Sequence, residues 1–164
     1  MKIIHIITGL RDGGAEHTLF KICKYDLNNT HIIISFTSSG KYFSLLKNLG
    51  IKVYCLNVNF FSIFKFFYLI KLLRSLKPDI VQTWLAHADF IGGIAARLAG
   101  IKNVFWNIRY SNFEIGKAKL TTILIIKILA KLSYLIPELI IIVSKKAKKI
   151  YEIEGFNKKK LKLI

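Results

Sequence analysis

Acidic residues are scarce in this chain. Nine Asp and Glu stand against 26 Lys and Arg, which gives 164 residues a formal charge of +17. Proline occurs twice, and no Pro/Ser/Gly-rich stretch divides the sequence. One domain with a sizeable core is the expectation from that length. Cysteine also occurs twice, at Cys23 and Cys55, with no CxxC spacing and no His/Cys cluster beside either. That argues against a disulfide scaffold or a zinc site and suits a reducing compartment. There is no internal repeat, and the lysine clusters are the only low-complexity feature. The apolar stretches at 60–74 and 119–135 are too short, or too interrupted by lysines, to cross a membrane. Residues 1–8 open directly on a strand-like run, without the longer apolar segment and cleavage site of a signal peptide. The expected location is the cytoplasm, at the inner face of the plasma membrane if the charge serves lipid binding.

Apolar residues are plentiful, at 53%, above the soluble average. They fall into short β-branched runs at 2–8, 31–36, 51–58, 79–84, 103–108 and 138–144, with a further start at 161–164. Helical patterns lie between them at 16–25, 42–49, 60–76, 88–99, 119–135 and 145–154. The pattern at 88–99 is the clearest: Phe90, Ile91, Ile94, Ala95, Leu98 and Ala99 share one face, while Gly92, Gly93 and Ala96 let the backbone sit close to a sheet. Gly50, Gly100 and Gly155 stand where helices should stop. Strict alternation with continuously apolar strands predicts an α/β fold, a doubly wound Rossmann-like parallel sheet with helices on both faces.

In such a fold ligands bind beyond the carboxyl ends of the strands. That selects 9–16, 83–89, 107–111 and Ser144. In the first of these a strand breaks at Gly13-Gly14 and a helix follows at once, which brings amide N–H groups and a positive helix end to one point suited to anions. The spacing fits neither GxGxxG nor a P-loop, so NAD and ATP are poorly supported. Glu16 either complements the helix dipole as a cap or serves the site. Asn107 and Arg109, two apart, point to the same side; Arg109 can grip a phosphate or carboxylate in a bidentate manner, or form a surface salt bridge. His87 is a candidate for an acceptor hydroxyl, or simply a loop residue. Asp89 reads as an N-cap, Trp84 as core, Ser144 as a cap or a cleft residue, and His5 and His31 as satisfied structural histidines. The helices at 60–76 and 119–135 are either sheet-covering helices with solvated lysines or interfacial ones with rings in lipid. No nucleic-acid motif is present, so the charge points to an anionic membrane or to composition bias and not to nucleic acid.

Gly13-Gly14-Ala15-Glu16 after the first strand resembles the GGxE signature of family-4-type glycosyltransferases, which have the GT-B fold. Residues 80–89 with 92–100 resemble that family's fourth strand and following helix, Asn107-Ile108-Arg109 the end of its fifth strand, and 140–144 through 155–164 the run into its interdomain linker. The resemblance spans essentially the whole chain and implies the N-terminal, acceptor-side half of such an enzyme. It implies sugar transfer, with retention, from a nucleotide-sugar such as a UDP- or GDP-sugar to a sugar or lipid-linked acceptor in cell-envelope polysaccharide synthesis. The nucleotide-sugar is expected as a co-substrate with no separate cofactor, and the sequence shows no dedicated metal ligand set. The resemblance places Gly13 and Gly14 at the donor diphosphate. Most of the donor site belongs to a second domain, including a pair of glutamates that nothing here matches, so this chain alone is expected to be inactive. Many members carry His at or near the position of Arg109, which puts proton transfer from that position in doubt. The alternative is a non-catalytic, membrane-docking, acceptor-binding subunit that completes a two-chain transferase in trans.

Overall fold

The computed structural model describes residues 1–37, 40–57, 63–109 and 120–164. Strands and helices alternate as β1 (Lys2–Ile7), α1 (Gly14–Tyr25), β2 (Thr30–Ser35), α2 (Lys41–Asn48), β3 (Lys52–Cys55), α3 (Ile63–Leu76), β4 (Ile80–Trp84), α4 (Ala86–Leu98), β5 (Val104–Ile108), α5 (Leu120–Leu132), β6 (Leu139–Ile142), α6 (Lys145–Ile153) and β7 (Leu161–Leu163), the last preceded by one 3-10 turn. The seven strands form one parallel sheet in the order β3-β2-β1-β4-β5-β6-β7. This is the expected doubly wound α/β architecture. Element ends differ from the sequence expectation by a few residues, and the expected boundaries at 38–39, 58, 60–62 and 111–119 lie outside the described residues.

Successive side chains of a strand point to opposite faces, and here both faces are covered. Ile4 and Ile6 join a core with Val81, Trp106 and Ile140 beneath α3, α4, α5 and α6. Ile7, Ile33 and Trp84 join a second core with Ala15, Leu19 and Cys23 of α1 and Tyr42 and Leu46 of α2. The small residues of α4 do what their size suggests. A methyl group at Gly92 would stand 3.0 Å from Ile6 Cγ2, and one at Gly93 would stand 2.9 Å from Trp106 Nε1 and 3.0 Å from Ile136 Cγ2. The α4 backbone therefore lies directly on the side chains of Ile6, Trp106 and Ile136. Gly100 and Gly155 follow their helices at φ +88° and +89°, which side-chain-bearing residues resist.

Two helix starts depart from the expectation for a physical reason. Gly13 is extended and acts as the N-cap, so Gly14 already belongs to α1. Leu85 takes φ +73° and ψ 152°, a turn so tight that α4 begins at Ala86, which places His87 inside the first helical turn and not before it. The N-cap of α4 is accordingly Leu85, with no side-chain cap, and not Asp89.

Helix α3 divides along its length. Leu69, Ile70, Leu72 and Leu73 are buried, whereas Ile63, Phe64, Phe67 and Tyr68 face outward, Phe64 with 83% of its surface exposed. Among the described residues no helix is long and apolar enough to cross a membrane.

The close approach of α4 is testable. Gly93→Val has no room between Trp106 and Ile136 and should lower stability to urea by about 1–3 kcal/mol, the usual cost of overpacking; an unchanged unfolding midpoint would contradict the packing described.

Candidate functional site

The winding of the chain reverses between β1 and β4, which are neighbours in the sheet. Helix α1 leaves β1 for one face and α4 leaves β4 for the other, so the two strand ends open on a crevice. Four segments bound it or its flank: the loop before α1, the turn at Leu85, the end of β5, and the end of β6.

The loop before α1 is anchored from both sides. Leu10 is fully buried, in the same cluster as Ile7, Ala15 and Trp84. Its carbonyl oxygen accepts from Tyr42 N at 3.0 Å, and a methyl group at Gly40 would stand 2.5 Å from that same oxygen. Lys41 Nζ reaches Asp12 Oδ2 at 2.8 Å across the surface of the loop. The N-terminus of α2 thus clamps the glycine loop through backbone contact, a role for Gly40 that the sequence reading missed; its only signal was a glycine directly before a helix.

At the start of α1, His17 N–H is the first to close on the helix, donating to Gly13 O at 2.9 Å. The amides of Gly14, Ala15 and Glu16 precede it and have no intrahelical acceptor. Space beside Gly14 is open, with no atom within 4 Å of where a side chain would begin. Gly13 is different: a methyl group there would overlap Glu16 Oε2. The Glu16 carboxylate therefore folds back over Gly13 onto the positive end of its own helix. An incoming anion has to share that end with Glu16 or displace it.

At the end of β4, Leu85 holds a backbone conformation populated almost entirely by glycine, a strain typical of ligand-facing turns. His87, in the first turn of α4, is half-buried, and burial lowers its pKa, which favours the neutral ring. Asp89 is 1% exposed and accepts from Thr83 Oγ1 at 2.5 Å. Burial raises its pKa well above the usual carboxylate range, and the threonine hydrogen bond opposes that only in part. It is a buried structural group.

Asn107 and Arg109 do share a side. Arg109 Nε donates to Asn107 Oδ1 at 2.9 Å, and the guanidinium carbon lies 5.4 Å from the centroid of a Trp84 ring. Burial lowers the Arg109 pKa, yet a guanidinium stays charged at any physiological pH. Among the described residues no carboxylate pairs with it, and its one side-chain hydrogen bond there is from Nε. Ser144 is the N-cap of α6, its Oγ accepting from Ala147 N at 3.0 Å.

The structure brings Arg109 onto Asn107 and the Trp84 ring, and Trp84 belongs to the same buried cluster as Leu10 and Ala15 of the glycine-loop corner. Strand spacing puts the ends of β1 and β5 about 10 Å apart, with Ser144 one strand further. Trp84 is fully buried as expected, and so are His5 and His31. His5 Nε2 lies 3.0 Å from His31 Nδ1, and Trp84 Nε1 donates to His5 Nδ1 at 3.2 Å. Cys23 of α1 joins this pair, with one ligand atom from each residue inside a 4.8 Å cluster. The sequence reading saw no cluster there because the three residues lie on three separate elements. Burial pushes the Cys23 thiol up to about 12 and His5 down to about 3, so the cluster is uncharged around neutral pH at both.

The glycines of this corner allow a paired test. Gly40→Ala should cost about 1–3 kcal/mol by thermal unfolding, since backbone atoms block the new methyl. Gly14→Ala should be neutral or stabilise by up to about 1 kcal/mol, as a helical position with open space. The reverse order would refute the clamp.

No protein-family model matches the chain, and no curated protein does. Solved structures do. HepE from Anabaena, in complex with UDP, superposes with a TM-score of 0.83 at 18% identity, over 100% of this chain and 43% of its own. A glycosyltransferase from Rickettsia africae gives 0.73 at 20%, over 99% and 42%. The UDP-GlcNAc 2-epimerase of Methanocaldococcus jannaschii gives 0.64 at 16%, over 100% and 45%. This chain spans less than half the length of each of these proteins. What the likeness shows is the fold: a Rossmann-like sheet matching one half of the GT-B architecture found among nucleotide-sugar glycosyltransferases and epimerases.

Proposed function

We propose that this chain is the acceptor-side domain of a nucleotide-sugar glycosyltransferase of the family-4 type. One observation carries the reading. A half-buried guanidinium, Arg109, with no carboxylate partner among the described residues, is held by Asn107 and the Trp84 ring at the same crevice as the open amides of the glycine loop. Amide N–H groups on one wall and a fixed cation on the other suit a diphosphate. The likeness in fold to HepE, whose structures hold UDP and UDP-glucose, supports the same ligand class here. The choice of transfer over epimerisation rests on the GGAE loop and the strand-end pattern that the family resemblance describes.

In this reading the bond from sugar to diphosphate breaks as charge builds on the departing phosphate oxygens. Gly13, Gly14 and Arg109 lower the energy of that charge with dipoles and a cation already in place. Arg109 keeps its proton and acts by charge alone. Glu16 and His87 flank the crevice as hydrogen-bonding groups for sugar or acceptor hydroxyls; Ser144 marks the far margin at the end of β6. A second domain closes the donor site, transfer proceeds with retention, and the isolated chain does not turn over. The product belongs to cell-envelope polysaccharide, and the nucleotide-sugar enters as co-substrate with no resident cofactor or metal.

A second reading, a membrane-docking, acceptor-binding subunit that works in trans, is favoured by the outward-facing Ile63, Phe64, Phe67 and Tyr68 beside Lys71 and Arg74. Rings for the acyl boundary and cations for anionic headgroups are the two components of interfacial binding. Both readings share the docking face and differ at the crevice.

Calorimetric titration with UDP separates them. The transferase reading expects binding in the millimolar range, about −4 kcal/mol, weakened at least about tenfold by Arg109→Gln. The absence of heat with the wild-type chain would overturn it. Vesicles containing anionic lipid should sediment with the wild-type chain and release the Phe64→Ser/Phe67→Ser variant, whose replaced rings are already exposed and leave the fold intact; equal sedimentation would remove the docking face.

A further inference from the structure

Beneath Arg109 runs a line of polar groups, buried from Trp84 to His31, whose proton positions are fixed from the Trp84 end. At one end the Trp84 indole N–H can only donate, and it donates to His5 Nδ1 at 3.2 Å. His5 therefore keeps its lone pair on Nδ1 and its proton on Nε2. That proton faces His31 Nδ1 at 3.0 Å, which must accept. His31 is left with its proton on Nε2, 3.3 Å from Asp26 Oδ2, at an angle short of a straight hydrogen bond. Donors and acceptors therefore alternate in one direction from the indole to His31, and the Asp26 carboxylate, which can only accept, lies beyond it. The His5 and His31 rings stack with centroids 5.2 Å apart. Burial keeps His5 neutral, as an acceptor at Nδ1 requires. Gln82 on β4 and the protonated Cys23 thiol on α1 are the other groups beside the pair.

This arrangement decides between two uses of the cluster. A metal held by His5, Cys23 and His31 would take the lone pair of His5 Nε2 and move the ring proton to Nδ1, where it would meet the Trp84 N–H head on. The hydrogen-bond chain and the metal site exclude each other, and Trp84 selects the chain.

We propose that His5 is a positioning residue for the anion grip: it fixes the indole of Trp84, and the Trp84 ring is the surface on which Arg109 rests, 5.4 Å from guanidinium carbon to ring centroid. The inference rests on the reading of Arg109 as an anion ligand. It assigns a ligand-facing role to a buried strand residue that makes no contact with the crevice itself.

Two tryptophans make the test direct. Trp106 Nε1 is buried without a hydrogen-bond partner, so one molecule carries a bonded and an unbonded indole for comparison by 1H–15N NMR. His5→Asn places an amide oxygen where Nδ1 lies; His5→Phe keeps an aromatic ring and removes the acceptor. In His5→Phe the Trp84 indole resonance should move toward that of Trp106, and UDP affinity should fall about tenfold. His5→Asn should restore both. Arg109→Gln should lose UDP while its Trp84 resonance stays bonded. If His5→Phe shifts the indole and binds UDP as tightly as wild type, the positioning role is overturned and the anion site stands. If Arg109→Gln binds UDP as tightly as wild type, the anion site itself is what fails. The wild-type chain supplies a check that needs no variant: side-chain 15N shifts that put the His5 proton on Nδ1, or a zinc titration that binds at His5 and His31, would overturn the chain of donors.

Discussion

A parallel sheet cannot close on itself through short turns, so each return to the sheet must pass over a face, and the direction of passage has to reverse somewhere if both faces are to be covered. In this protein it reverses between β1 and β4. The segments of the candidate site collect at that point. Two loops leave in opposite directions, the backbone turns hard enough at Leu85 to leave the common regions of conformational space, and the space between is lined by amides with no acceptor of their own. Trp84 fills the floor of this reversal. It shares a buried cluster with Leu10 and Ala15 of the glycine-loop corner and carries Arg109, so one buried ring is common to both halves of the crevice.

The charge is less localised. With a formal excess of +17, most cations have no partner: among the described residues the ion pairs of lysine and arginine are Lys41 with Asp12 and Arg97 with Glu138. Exposed pairs of this kind contribute little. Arg97 acts more through its bonds to the Ile136 and Lys102 carbonyl oxygens, both 2.7 Å, which tie the end of α4 to the lower edge of the sheet. The surplus is felt mainly at a distance, as a field that draws anions and weakens with salt.

Much of the fold was legible from sequence because continuous apolar runs and helical periodicity are local signals. The strand at 2–8 and the helix at 88–99 needed nothing else. Errors arose where backbone geometry overrode residue preference. Asp89 looked like a cap, but the tight turn puts the N-cap at Leu85, well before Asp89, and the Asp89 carboxyl is buried against Thr83. The site was legible as a set of strand ends, since the fold rule supplies that. Its internal contacts were not. Gly40 against the Leu10 carbonyl, the Trp84–His5–His31 line and the approach of Cys23 all join elements distant in sequence, and neither composition nor periodicity carries information about them.

The sheet ends in two strands of four and three residues, β3 and β7. Each carries an exposed lysine, Lys52 on one border and Lys162 on the other. A bare border strand is a template for another chain, and its hazard grows with its length and flatness. Here the template is too brief to register a partner strand, and an ammonium group stands on each. The sheet thus stops abruptly and stops charged at both borders, and the broad exposed apolar surface lies on the outer side of α3, away from the strand edges.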